Sequence, residues 1–132
     1  MLRRLAFERL EQKLSPTALL LTVAVMLGAF GAHSLENTLT PDRLDAFNSA
    51  VSFQVYHALG LIVVAFALQW LPGSKLPYWS GWLMVWGIAC FSGSIYLTTF
   101  GAPPIVAMAA PIGGVSFMIA WALLAVAAFR TA

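Results

Sequence analysis

Three long stretches of this 132-residue chain contain no Asp, Glu, Lys or Arg, and they constrain its fold more than any other feature. They cover residues 14–35, 46–74 and 76–129, which are 22, 29 and 54 residues long. One helical crossing of a bilayer needs about 20 apolar residues. Because the third stretch has room for two crossings and a turn, the sequence predicts an all-α protein with four transmembrane helices.

The composition agrees with this prediction and excludes several other classes of protein. Hydrophobic residues make up 61% of the chain and charged residues only 9%, whereas soluble domains contain about 25% charged residues. An ordinary soluble enzyme, a disordered chain and a nucleic-acid-binding protein are therefore excluded. The single cysteine, Cys90, lies inside a predicted span and cannot form an intrachain disulfide.

A charged segment precedes the first predicted span. The leucines of residues 1–14 fall on one side of a helix at three- and four-residue spacing, with most charges opposite. This pattern predicts an amphipathic helix at the membrane interface, and a solvated cytoplasmic helix is the alternative. Ser15 is a suitable N-cap and Pro16 suits a first helical position. We therefore predict a helix start there, and a single four-helix membrane domain over residues 15–132.

Proline residues also mark the later helix boundaries. The four spans are predicted at about residues 16–33, 41–71, 78–100 and 104–129, and the first turns of the second are expected to lie outside the membrane. Thr40 and Pro41 repeat the sequence of an N-cap followed by proline. Pro111 leaves two alternatives for the fourth span. It either kinks a helix that begins near Pro104 or opens a shorter helix after a partly inserted connector.

The distribution of Lys and Arg predicts the orientation of the chain. Cytoplasmic loops of membrane proteins carry an excess of these residues. With four spans, one side of the membrane receives Arg43 alone, and the other receives Arg3, Arg4, Arg9, Lys13, Lys75 and Arg130. Both termini are therefore predicted to be cytoplasmic.

Polar side chains inside a membrane are costly, so each one marks a candidate site. They concentrate toward the outer ends of the first two spans, where the candidates are His33, Glu36, Asp45, Gln54, Tyr56 and His57. Two histidines on neighbouring helices are able to bind haem or a metal ion. Hydrogen bonding between helices is the structural alternative, and we favour it.

A proton or ion path through the histidines is a third hypothesis. No carboxylate or histidine follows His57 within the spans, so such a path would need water and hydroxyl groups such as those of Ser92, Ser94 and Ser116. The sequence contains no complete catalytic constellation and requires no cofactor. We therefore expect no enzymatic activity.

Small residues at helical spacing predict where the helices touch. Glycine and alanine allow two helix backbones to approach closely in lipid. The predicted packing positions are Ala24, Gly28, Gly31, Ala32, Gly87, Gly93, Gly113 and Gly114. A polar-lined pocket along these faces is the alternative to close packing, and we favour close packing.

Four short segments, in order, resemble a known family. They are GAFGAH at 28–33, QVYHAL at 54–59, FSGSIY at 91–96 and PIGG at 111–114. They resemble the YgdD-like family of small bacterial inner-membrane proteins, which has a relative among animal transmembrane proteins and is catalogued as a domain of unknown function. The resemblance implies a multi-pass inner-membrane protein and supplies no reaction or cofactor. It points to seven residues for testing: His33, Gln54, Tyr56, His57, Ser92, Ser94 and Tyr96.

Together these observations predict a non-enzymatic protein of the bacterial inner membrane. We expect it to act through contacts with lipid, with a second copy of itself or with a larger membrane complex. A protein that binds haem, a metal ion or a small ligand through the outer polar cluster is the first alternative. A small proton or solute transporter is the second alternative.

Overall fold

Four long helices carry the chain back and forth, and short turns join them. In a computed structural model, which describes residues 2–130, α1 spans Leu2–Phe30, α2 Pro41–Trp70, α3 Leu76–Thr99 and α4 Ala109–Phe129. A π-helical turn, Gly31–Leu35, extends α1, and a 3-10 turn, Pro104–Met108, precedes α4. Residues 2–130 contain no strand. The predicted all-α, four-helix architecture is confirmed.

Large apolar side chains cover the outside of this bundle. Leu19, Val25, Met26, Ile112 and Met118 are each at least 60% exposed. In water such a surface would drive aggregation, whereas in hydrocarbon it is compatible with its surroundings. All four helices are long and apolar enough to cross a bilayer. The chain is therefore a multi-pass membrane protein.

The first helix does not start where the sequence predicted. Helix α1 passes through Pro16 without interruption, so the predicted start at Ser15–Pro16 is wrong. A proline inside a helix removes one backbone hydrogen bond, whereas ending and restarting a helix leaves four N–H and four C=O groups without intrahelical partners. Residues 2–14 thus form the beginning of α1. Most side chains of this segment lie outside the described residues, so its amphipathic interfacial placement stays a prediction.

Proline and glycine set the starts of the later helices. Pro41 is the first residue of α2, and Thr40 precedes it in an extended conformation, although the Thr40 side chain makes no capping hydrogen bond. After α3, Gly101 turns the chain with a φ of 103°. The 3-10 turn that begins at Pro104 then leads directly into α4. Pro111 lies in the first turn of α4, where its missing N–H has no intrahelical partner to lose. The structure thus combines elements of the two predicted alternatives.

Helix α3 is one of the two inner helices of the arrangement, the other being α2. It packs against α2 on one side and, more extensively, against α4 on the other, while α1 packs against α2. Two glycines allow the close approach of α3 and α4. A Cβ atom on Gly87 would overlap the ring of Phe117, and one on Gly113 would overlap the backbone nitrogen of Phe91. The two helix backbones are therefore in near contact.

The predicted packing positions divide into two groups. Five lie at helix contacts: Ala24, Gly28, Gly31, Gly87 and Gly113. The other three do not, contrary to the prediction: Ala32 is exposed, Gly114 has no neighbouring atom within 4 Å of a Cβ position, and Gly93 meets only its own helix. Sequence spacing identifies a row of small residues, but only the face turned toward a neighbour makes the contact.

Two adjacent glycines of α4 test this contact. We expect Gly113→Ala to lower the free energy of unfolding in detergent by about 1–3 kcal/mol, because the added methyl group forces α4 away from α3. Gly114→Ala is the matched control, because its methyl group has open space. It should leave the stability unchanged or raise it by up to about 1 kcal/mol through better helix propensity. Equal losses in the two variants, measured by denaturant unfolding, would contradict the close α3–α4 contact.

Candidate functional site

Gln54 connects three helices through its side-chain amide. Its Nε2 group, on α2, donates a 2.8 Å hydrogen bond to the backbone carbonyl of Leu20 on α1. Its Oε1 atom accepts a 2.9 Å hydrogen bond from the hydroxyl of Tyr96 on α3. Gln54 is only 3% exposed. One buried glutamine therefore joins α1, α2 and α3.

Three serine hydroxyls also form hydrogen bonds between helices. Ser92 donates to Ala50 at 2.7 Å, Ser80 to Ala120 at 2.8 Å and Ser116 to Leu83 at 2.8 Å. Each acceptor is a backbone carbonyl oxygen, which has a second lone pair available beside its own helical bond. Within the described part of the chain, no side-chain nitrogen or oxygen atom that is completely inaccessible lacks a partner. The buried polar groups are thus used in contacts between and within helices.

His57 lies among aromatic rings contributed by α2 and α4. Its imidazole stacks on Phe117, with ring centroids 3.4 Å apart and an interplanar angle of 11°, and the rings of Phe53 and Trp121 lie about it. Its Nδ1 atom is 2.7 Å from the carbonyl oxygen of Phe53. Because a carbonyl only accepts, Nδ1 carries the hydrogen. The Nε2 atom makes no hydrogen bond to any residue that the structure describes.

The structure does not bring the predicted polar cluster together as one site. His33, Glu36 and Asp45 are exposed near the ends of α1 and α2, and Tyr56 is exposed on the surface of α2. Ser94 is buried but donates to a carbonyl of its own helix, that of Phe91. Of the residues predicted for this cluster, only Gln54, Ser92 and Tyr96 take part in bonds between helices.

The two histidines also lie in different surroundings. His57 is turned toward α4, whereas His33 is exposed on the π-helical turn after α1. Among residues 2–130, as far as they are described, no group of three or more His, Cys, Asp or Glu side chains is placed to hold a metal ion. A ligand of His57 would therefore meet one imidazole and several aromatic rings.

Comparison with known proteins identifies the family. Residues 27–114 match the family model described as a protein of unknown function, DUF423. The chain belongs to the DUF423 family. The resemblance to the YgdD-like proteins is thereby confirmed. Gln54, His57, Ser92 and Tyr96 all lie within the matched part of this DUF423 protein.

Several DUF423 relatives cover most of the chain. The UPF0382 membrane protein YwdK of Bacillus subtilis is 44% identical over 108 residues, which are 82% of this chain and 88% of the relative. A UPF0382 membrane protein of Staphylococcus saprophyticus is 39% identical with the same coverage. The UPF0382 inner membrane protein YgdD of Escherichia coli K12 is 36% identical, with 82% of each chain covered. No solved structure matches the chain.

Sequence reasoning missed several contacts of this DUF423 protein. Arg43 donates a 3.1 Å hydrogen bond to the carbonyl oxygen of Thr98 in the last turn of α3, where a helix favours positive charge. The bond of Ser80 was not predicted either, although a hydroxyl group within an apolar span indicates a hydrogen bond between helices. Nothing in the sequence indicated the aromatic surroundings of His57, because Phe117 and Trp121 are ordinary residues of an apolar helix.

The hydrogen bonds of Gln54 can be tested against a second glutamine on the same helix. We expect Gln54→Leu to lower the free energy of unfolding by about 1–3 kcal/mol, because two bonds are lost and the Tyr96 hydroxyl is left buried without its acceptor. Tyr96→Phe, which removes only one bond, should cost about 0.6 kcal/mol. Gln69 is exposed near the end of α2, so Gln69→Leu should have no measurable effect on unfolding in detergent. A loss in Gln69→Leu as large as in Gln54→Leu would refute this assignment.

Proposed function

We propose that this DUF423 protein is a non-enzymatic component of the bacterial inner membrane. It acts through its outer helix surfaces, in contact with lipid, with a second copy or with a larger membrane assembly. The observation that supports this proposal is the use of the buried polar groups. In an enzyme such groups converge on a space that receives substrate, whereas Gln54, Ser80, Ser92 and Ser116 here donate to carbonyl groups of neighbouring helices.

This function is tested on protein taken from its native bilayer. We extract the protein together with its surrounding lipid and determine the mass of the intact particle. The proposal expects retained lipid, a homo-oligomer or a defined complex, and a melting temperature that falls when these are removed. A monomer whose melting temperature is the same with and without lipid or partner would contradict the proposal.

We further propose that the termini are cytoplasmic. The Escherichia coli relative is named an inner membrane protein, and cytoplasmic loops carry an excess of Lys and Arg. Arg130, after α4, lines a cavity with residues of the α2–α3 loop, which also carries Lys75. Arg43 lies at the other end of α2 and bonds to the end of α3. This separation of cations supports the orientation.

Reporter fusions give the orientation directly. A phosphatase that is active only in the periplasm should be inactive when it is fused after Arg130 and active when it is inserted at Asn37, in the turn between α1 and α2. A fluorescent protein that folds only in the cytoplasm should give the reverse pattern. Phosphatase activity at the C-terminus would overturn the orientation.

One observation favours a second candidate function, the binding of a haem, metal ion or small ligand by His57. Its Nε2 atom has no hydrogen-bond partner among the described residues, so in the neutral ring its lone pair is available. The test is an optical spectrum and an elemental analysis of the gently purified protein and two variants. The primary proposal expects no stoichiometric species, and expects His57→Phe to fold because the stack on Phe117 is kept. A species lost in His57→Phe and retained in His33→Ala would establish the second function instead.

A further inference from the structure

An apolar groove separates α2 from α4 at the end of the bundle that carries Lys75 and Arg130. Both helices pack on α3 and approach each other only briefly, so a space remains between them. It has a volume of about 450 Å³ and is lined by apolar side chains of both helices, among them Val63, Phe66 and Leu124. Cavities of about 300–1,000 Å³ are typical of small-molecule sites. The groove is therefore large enough for part of an apolar ligand.

A second cavity continues the groove toward the end of the bundle. It has a volume of about 370 Å³, and its lining includes Gly73, Ser74 and Arg130. Trp70 and Leu71 line both cavities, so the two are contiguous. Arg130 offers five N–H donors and a positive charge, and no Asp or Glu among the residues that the structure describes lines either cavity. The combined site is thus apolar along the helices and cationic at its end.

We propose that this site binds an anionic phospholipid, with an acyl chain in the groove and the phosphate at Arg130. The two cavities follow the order of headgroup and acyl chain in a phospholipid, because the cationic cavity lies toward the helix ends and the apolar groove toward the membrane centre. From Val63 to Trp70 the groove follows α2 for about 10 Å, a third of a hydrocarbon core of about 30 Å. Trp70 is 76% exposed at the junction, and exposed tryptophan is typical of the headgroup level.

The charge at the mouth selects the headgroup. A guanidinium forms paired, charge-assisted hydrogen bonds with phosphate, and each cation near a membrane surface attracts anionic lipid. Lys75, which is exposed and follows the lining residue Ser74 in the sequence, carries a second positive charge in the same loop. This inference rests on the proposed function, a role exerted through the membrane-facing surface, and assigns lipid as the molecule that is bound.

The test uses the full chain in bilayers of equal parts phosphatidylglycerol and phosphatidylcholine. After extraction in mild detergent, the retained lipids are identified by the mass of the intact complex. Phosphatidylglycerol should be enriched over its share in the bilayer. Arg130→Gln should lower this enrichment about fivefold, while Arg43→Gln, the same charge change at the other end of the bundle, should not.

A second pair of variants tests the groove itself. Ala67→Phe places a ring in the groove and should reduce the amount of retained lipid of either type. Ala89→Phe, on an exposed position of α3 outside the groove, is the matched control. Melting temperatures establish that all four variants are folded.

Each remaining outcome overturns the inference in a distinct way. Retained lipid that responds to neither Arg130→Gln nor Ala67→Phe refutes this site and leaves the proposed function standing. A lipid-free dimer that Ala67→Phe dissociates assigns the groove to a second copy. Loss of the enrichment on addition of soluble glycerol phosphate assigns the cationic end to a free anion. A lipid-free monomer, with a melting temperature that lipid does not change, refutes the proposed function as well.

Discussion

Apolar side chains gain no hydrophobic free energy when they move from hydrocarbon to a helix contact, so helices in a membrane are held by close packing and hydrogen bonds. Both are found where α3 meets its neighbours. Gly87 and Gly113 allow α3 and α4 to approach closely. Ser80 and Ser92, on the same helix, donate to carbonyl groups of α4 and α2 respectively. Helix α3 thus holds α2 and α4, and α1 joins the bundle through α2.

The position of α3 also explains where open space occurs. Because α2 and α4 are both bonded to α3, they lie on either side of it and touch only briefly. His57 and Phe117 fill the gap in its middle part through a stack of two rings. Nearer Arg130, the apolar groove remains between the two helices. The packing of α2 and α4 on α3 thus accounts for both the aromatic surroundings of His57 and the space of the proposed lipid site.

The two polar regions of the molecule differ in kind. Gln54 is buried and Tyr96 is half-buried between the helices, and their hydrogen bonds are made to other parts of the chain. Arg130 is exposed and lines a cavity that is open to its surroundings. Buried groups that bond to other parts of the chain stabilise a structure, whereas an exposed cation beside an apolar groove is available to a ligand. For this reason we propose that the first region stabilises the bundle and that the second binds lipid.

The sequence by itself determined the number of spans, because a charged residue is too costly to leave within a bilayer core and its absence over residues 14–35, 46–74 and 76–129 is visible without a structure. It also indicated which residues are polar in those spans. Only the tertiary structure decided that Gln54 joins three helices while Tyr56 faces outward, that Gly113 packs while Gly114 does not, and that α1 continues through Pro16. The physical reason is that spacing along a helix defines its faces, but the rotation of each helix against its neighbours decides which face is buried.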